Sequence, residues 1–185
     1  MLEFRRQAFH ILLGVVLVIL LNFNIIGIKI LSLILIIGII ISFLSKKHKI
    51  PVVEWFLENF ERENVRIRGQ GVLTCFLGVI IALLLFEKNI ALASILVLSL
   101  GDSFCHLGKF GRLKHPFNDL KFIEGLLIGV AVATFGAVFF VSFWQAFLGA
   151  AVALVVESFD LKIGNYEIDD NILIPLVAGV IMSLL

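Results

Sequence analysis

The chain has 185 residues, 61% of them apolar and 16% charged, with 15 Lys and Arg against 14 Asp and Glu. Its mean hydropathy is +1.11. Soluble domains hold roughly 45–50% apolar residues even with glycine counted, so the composition excludes an ordinary soluble domain. The formal charge of +1 says nothing about partners, whereas its distribution does, and no nucleic-acid partner is expected. Cys75 and Cys105 form neither a CxxC nor a zinc spacing and read as packing residues.

Apolar runs lie at Phe4–Leu21, Ile28–Leu44, Gly71–Phe86, Ile90–Leu107, Phe122–Val141, Phe143–Val156 and Asn171–Leu185. A bilayer core of roughly 30 Å takes about 20 helical residues to cross. The pattern predicts an all-α polytopic membrane bundle of about seven transmembrane helices, one domain over residues 1–185. The first run lacks a small-residue cleavage site and is followed by further runs, so it reads as a span rather than a secretory signal. Only Ser142 separates the fifth run from the sixth.

With the amino terminus inside, 13 Lys and Arg fall on cytoplasmic segments and two, Lys29 and Lys88, on outer loops, summing to the 15 of the chain. The positive-inside rule then fixes the orientation, and an odd number of spans puts the carboxyl terminus outside. The inner loops, Ser45–Gln70, Gly108–Lys121 and Glu157–Asp170, are long and polar, whereas the outer ones are minimal. Every residue with chemical potential lies on the inner side, so a site there draws on a cytosolic reactant.

In the first inner loop Pro51 suits the first turn of a helix, and Val52, Phe56 and Phe60 recur at i, i+4, i+8 with Trp55 beside them. This reads as an interfacial amphipathic helix with Trp at headgroup level. The same pattern fits a helix packed across the inner end of the bundle.

The site residues follow in chain order. Arg6, His10 and Gly14 share one face of the first span, where a guanidinium and an imidazole can meet a phosphate. Arg66-Ile-Arg68-Gly-Gln-Gly71 leads into the third span, with glycines that allow close backbone approach. The fourth apolar stretch proper, Ile90–Leu100, is too short to cross and must take in Asp102 and His106. Asp102 is then roughly 8 Å inside the helix end at ~1.5 Å per residue. A charge at membrane depth is a functional-site hypothesis by default.

Asp102, His106 and Lys109 share a face, and Gly108 and Gly111 frame a basic loop with Lys109, Arg112 and Lys114. Glycines with cations can wrap polyphosphate, although the spacing is not that of a Walker loop. Lys121 and Glu124 open the fifth span at i, i+3, a spacing that also makes an ordinary interfacial ion pair. Gly125 and Gly129 form a small-xxx-small pattern. Glu157 closes the sixth span. Asp169 and Asp170 precede the seventh, as helix caps or as ligands of a divalent cation. Carboxylates beside a ring of cations are what phosphoryl transfer requires, because its catalysis is mostly positioning and charge stabilisation. A second reactant reached from the bilayer suggests a lipid alcohol.

The stretch GDSFCHLGKFGRLKHPFNDLKFIEG resembles the nucleotide-binding motif of the CTP-dependent lipid kinases: dolichol kinase, phytol kinase and the CTP-dependent diacylglycerol kinase. RRQAFHILLG is similar to the opening of that family, RIRGQG to its basic Gly-x-Gly element, and Glu157 with DDNILIPL to the dolichol-kinase ending. Phe104 stands where the family often has a small residue.

The resemblance implies an integral multi-pass enzyme, a polyprenol-kinase-like domain with its active site facing the cytoplasm. It would transfer phosphate from CTP, with Mg²⁺, to a dolichol-like polyisoprenoid alcohol. Catalytic roles fall on Asp102, His10 and Glu124, Asp102 as metal ligand or base. Nucleotide contacts fall on Arg68, Gly101, His106, Lys109, Gly111, Arg112, Lys121, Glu124 and Gly125. Metal ligation falls on Asp102, Glu124, Glu157, Asp169 and Asp170, and the acceptor side on Arg6 and His10. The alternatives are a cytidylyltransferase forming a CDP-lipid, or a kinase acting on phytol, geranylgeraniol or diacylglycerol.

Overall fold

Each apolar run forms a helix in a computed structural model that describes residues 2–61, 65, 67–107, 113–115, 118–159, 161–163 and 166–185. For 107, 114, 115, 118–121, 162, 163, 166 and 167 it describes the backbone alone. The chain folds as α1 (Leu2–Asn22), α2 (Ile28–Ser45), α3 (Pro51–Phe60), α4 (Gln70–Leu85) and α5 (Lys88–Leu96). A π-helical stretch, Val97–Asp102, continues α5 into α6 (Ser103–Leu107), and α7 (Ile123–Ala137), α8 (Phe143–Glu157) and α9 (Asp170–Ser183) complete the helices.

The all-helical class holds. Among the described residues the only strands are two short antiparallel ribbons, in segments read from the sequence as polar loops. Strands β1 (Lys114–His115) and β2 (Asn118–Phe122) form one, and β3 (Lys162–Ile163) and β4 (Tyr166–Glu167) the other.

Among the described residues three helices are long and apolar enough to cross a membrane: Leu2–Asn22, Ile28–Ser45 and Lys88–His106. The apolar helices α4, α7, α8 and α9 have 16, 15, 15 and 14 residues. At ~1.5 Å per residue they measure only about 21–24 Å. Local chemistry explains where they stop. Ser142 separates α7 from α8 as an N-cap, its side chain accepting from the Gln145 amide while the Gln145 side chain returns the contact. That capping box satisfies two of the donors a helix start exposes. The Asp169 side chain caps α9 by accepting from Asn171 N.

Lys88–His106 is the post around which the rest packs. Ala91–Val97 are all buried. One core cluster joins Leu17, Leu21, Leu31, Val79 and Ile95; another joins Val97, Leu98, Ala133, Ala150, Leu154 and Ile174. Small residues set the spacing, since without a hydrophobic drive between helices in lipid, close packing must hold them. A methyl on Gly14 would overlap Ser99, and one on Gly129 would overlap the Cys105 sulfur. One on Gly78 would strike the Asn171 carbonyl. Pro175, four residues on, has no N–H to offer that carbonyl, and the α4 backbone closes on it instead.

Helix α2 packs on α4 along one side, with Gly38 against Leu73. It leaves Leu33, Ile36, Ile40 and Phe43 exposed. An apolar face this long on a soluble monomer would be an aggregation hazard; facing lipid, it costs nothing. Near the start of α1, Phe56 and Phe60 of α3 pack on Phe9, with ring centroids 5.0 and 5.2 Å away. This is the packed arrangement, yet Val52 and Trp55 stay exposed.

Candidate functional site

Three carboxylates converge where the short helices end. Asp102 is the last residue of the π stretch, Glu157 the last of α8 and Asp170 the first of α9. One oxygen from each lies within 4.8 Å of the others. Glu157 is only 2% exposed and sits in the last turn of α8, where the helix dipole opposes a negative charge. Three carboxylates in so small a volume, one of them buried at the wrong end of a dipole, make a donor set suited to a hard divalent cation.

The π stretch explains how Asp102 reaches the group. A wider turn inserts an extra residue and rotates everything beyond it around the helix axis. His106, one turn on, closes back on the same residue: its Nδ1 lies 3.0 Å from the Asp102 carbonyl oxygen and 3.1 Å from Asp102 Oδ1. A carbonyl only accepts, so Nδ1 carries the proton. His106 thus lies against both the main chain and the carboxylate of Asp102.

His10 comes from α1 and lies within electrostatic range of Asp102, Arg6, His106 and Asp169. Its Nε2 is buried with no hydrogen-bond partner among the described residues, and so are the Ser99 and Ser103 hydroxyls on the facing helix. Arg6 pairs with Glu3 at 2.6 Å.

A second network ties the start of α4 to the start of α9. Gln70 Nε2 donates to Asp169 Oδ2 at 3.3 Å, and Asn171 Nδ2 donates to Asp169 Oδ1 at 2.9 Å and to Thr74 Oγ1 at 3.0 Å. Gly69 makes this turn possible with φ of 77°, the left-handed region glycine tolerates. Glu61 accepts from both Gly69 N and Gln70 N. Burial pushes the Glu61 carboxyl above its ordinary value, against the opposing pull of those amides and of Arg68.

The structure thus brings Asp102, Glu157 and Asp170 together, with Asp169, His106 and His10 around them. Other expected residues make contacts of their own. Glu124 accepts from Leu113 N at 3.1 and 3.3 Å, so it fastens the segment before β2 to the first turn of α7. Arg68 pairs with Glu54 at 2.7 Å and donates to the Ser45 carbonyl, bracing the elbow between α2 and α3. Gly101 and Gly125 are buried backbone, and a methyl at Gly101 would press on Leu154 and Ala133. Lys109, Gly111 and Arg112 lie outside the described residues, and Lys121 is described by its backbone alone, in β2. Sequence reading missed Gln70 and Thr74 as positioning residues, while Asn171 was read as a helix cap or as an amide ligand beside Asp169 and Asp170. The glycines flanking Gln70 were the available signal.

No family model and no solved structure matches the chain. It is 30% identical over 190 residues to the uncharacterized protein MJ1137 of Methanocaldococcus jannaschii, a match covering 99% of this chain and 94% of that protein. The chain belongs to the same family as that archaeal protein.

Proposed function

We propose that the chain is a CTP-dependent kinase that phosphorylates a polyisoprenoid alcohol, dolichol-like in class, at the cytoplasmic face of a membrane. The single observation that carries the reading is the convergence of Asp102, Glu157 and Asp170 within 4.8 Å at the ends of apolar helices. In this reading the four shorter apolar helices span together with the three long ones, amino terminus inside, as the 13-to-2 distribution of Lys and Arg supports. The choice of CTP follows from the resemblance of GDSFCHLGKFGRLKHPFNDLKFIEG to the CTP-dependent lipid kinases.

Asp102, Glu157 and Asp170 would hold Mg²⁺, which when bound neutralises phosphoryl charge. His106 keeps the Asp102 carboxylate aimed. Lys109, Arg112 and Lys121 bind the triphosphate from the loop side. His10, on the facing helix, takes the proton of the acceptor hydroxyl as its oxygen forms a bond to the γ-phosphorus. The bond from that phosphorus to the β–γ bridging oxygen breaks, and CDP leaves. Arg6, adjoining His10, holds the product phosphate.

The test is an assay in detergent with γ-labelled CTP or ATP against polyprenols, phytol, geranylgeraniol and diacylglycerol. The expected products are CDP and a labelled lipid monophosphate. Pyrophosphate with a CDP-lipid would replace the kinase by a cytidylyltransferase, and no transfer to any alcohol would end the reading.

A further inference from the structure

The elbow between α2 and α3 carries a feature that phosphoryl transfer does not use. Helix α2 ends in exposed Phe43 and Leu44, at 63% and 48%. Then come Lys46, Lys47, His48 and Lys49, all exposed. Helix α3 follows at once, with Val52 76% and Trp55 59% exposed on one edge.

The elbow is rigid. Arg68 donates to the Ser45 carbonyl and pairs with Glu54, while Ser42 Oγ donates to the Arg68 carbonyl at 2.6 Å. That brace consumes Glu54, leaving Glu58 as the only acid on the exposed edge of α3. None of the three lysines has a carboxylate partner among the described residues. Lys46 Nζ instead sits over the Phe43 ring, 5.5 Å from its centroid, an ammonium on an aromatic face at the end of an apolar helix.

We infer that Lys46, Lys47 and Lys49, with Val52 and Trp55, form a docking surface for the anionic phospholipid headgroups of the inner leaflet. Charge complementarity selects this occupant. In the proposed orientation a braced apolar edge would reach the headgroup level, three ammonium groups with no carboxylate partner among the described residues stand beside it, and an anionic leaflet attracts each of them over a Debye length. A zwitterionic surface would satisfy the aromatic edge but not the lysines. The docked helix packs through Phe56 and Phe60 on Phe9, the neighbour of His10, so the surface would hold the mouth of the site against the leaflet. The inference shares the orientation of the proposed function but needs neither nucleotide nor acceptor.

The chain has two tryptophans, Trp55 and Trp144, so W144F leaves Trp55 as a single reporter. The protein is reconstituted in vesicles containing brominated phosphatidylserine or brominated phosphatidylcholine, and quenching gives the relative association of the two lipids at Trp55. We expect a preference of roughly fivefold or more for the anionic lipid, one engaged lysine being enough for that factor. It should fall towards unity in K46Q/K47Q/K49Q and, in the parent, at about 0.5 M salt; K29Q should leave it unchanged. Equal quenching by both lipids, a preference that survives high salt, or no quenching by either would overturn the inference. The salt titration decides the matter even if the triple variant fails to insert. Kinase activity does not enter the readout, so failure of the enzymatic reading would leave this result standing.

Discussion

Replacing Asp102 by Asn should stabilise the cation-free protein while abolishing its activity, an opposition that ordinary packing damage cannot produce. Three ionised carboxylates whose oxygens lie within 4.8 Å repel one another by at least about 3 kcal/mol per pair at an effective dielectric of about 20. Asp102→Asn removes two of the three repulsions and keeps the shape and an oxygen acceptor for His106. His106 and counter-ions already offset part of the cost, so the expected gain is about 1–3 kcal/mol, or a rise of roughly 3–8 °C in Tm. A divalent cation at a hundred times its Kd should stabilise the parent by about 2.7 kcal/mol and the variant hardly at all. Turnover should fall at least ~100-fold.

Cys75 is buried at 3% exposure. A thiol-reactive dye therefore reports unfolding in detergent, with chelator or with Mg²⁺ or Mn²⁺. If cation-free D102N melts below the parent, or keeps the parent's cation-dependent shift, the carboxylates do not form a shared cation site.

Gly78→Ala should cost about 1–3 kcal/mol and weaken the cation-dependent shift, because the added methyl drives the Asn171 backbone, and with it Asp170, away from α4; a parent-like shift would separate this contact from the site. Lys121→Ala and Arg112→Ala should raise the KM for CTP, with about 10- to 150-fold lost in kcat/KM, whereas His10→Ala should lower kcat with CTP binding retained. An equal loss of CTP binding in all three would place α1 in the phosphate cradle. Cysteines introduced at Lys47 and Asp169 should resist an impermeant reagent from outside, and external labelling at both would reverse the orientation. Glu61 has a folded value above its ordinary one, so its favourable contribution is present below the unfolded pKa and lost as pH rises through the folded pKa. Glu61→Gln, uncharged throughout, should match the parent in Tm near pH 4 and exceed it near pH 7; a constant difference across that range would remove Glu61 from the pH dependence.

The sequence by itself determined the elements. An apolar run is a local property, so the seven runs become helices where they were read, Pro51 starts α3 and Ser142 divides α7 from α8. Asp102, Glu157 and Asp170 were legible as potential ligands because a carboxylate at the edge of an apolar run is expensive. Which acids converge was decided by the tertiary structure. Glu124 and Asp169 carry the same chemistry, yet one holds the Leu113 amide and the other caps α9. Convergence depends on phase and distance between helices. The π turn before Asp102 rotates its carboxylate, and the contact of Gly78 with Asn171 sets where α9 begins. Neither quantity is carried by any single segment, because each is fixed only when backbones remote in sequence pack against one another.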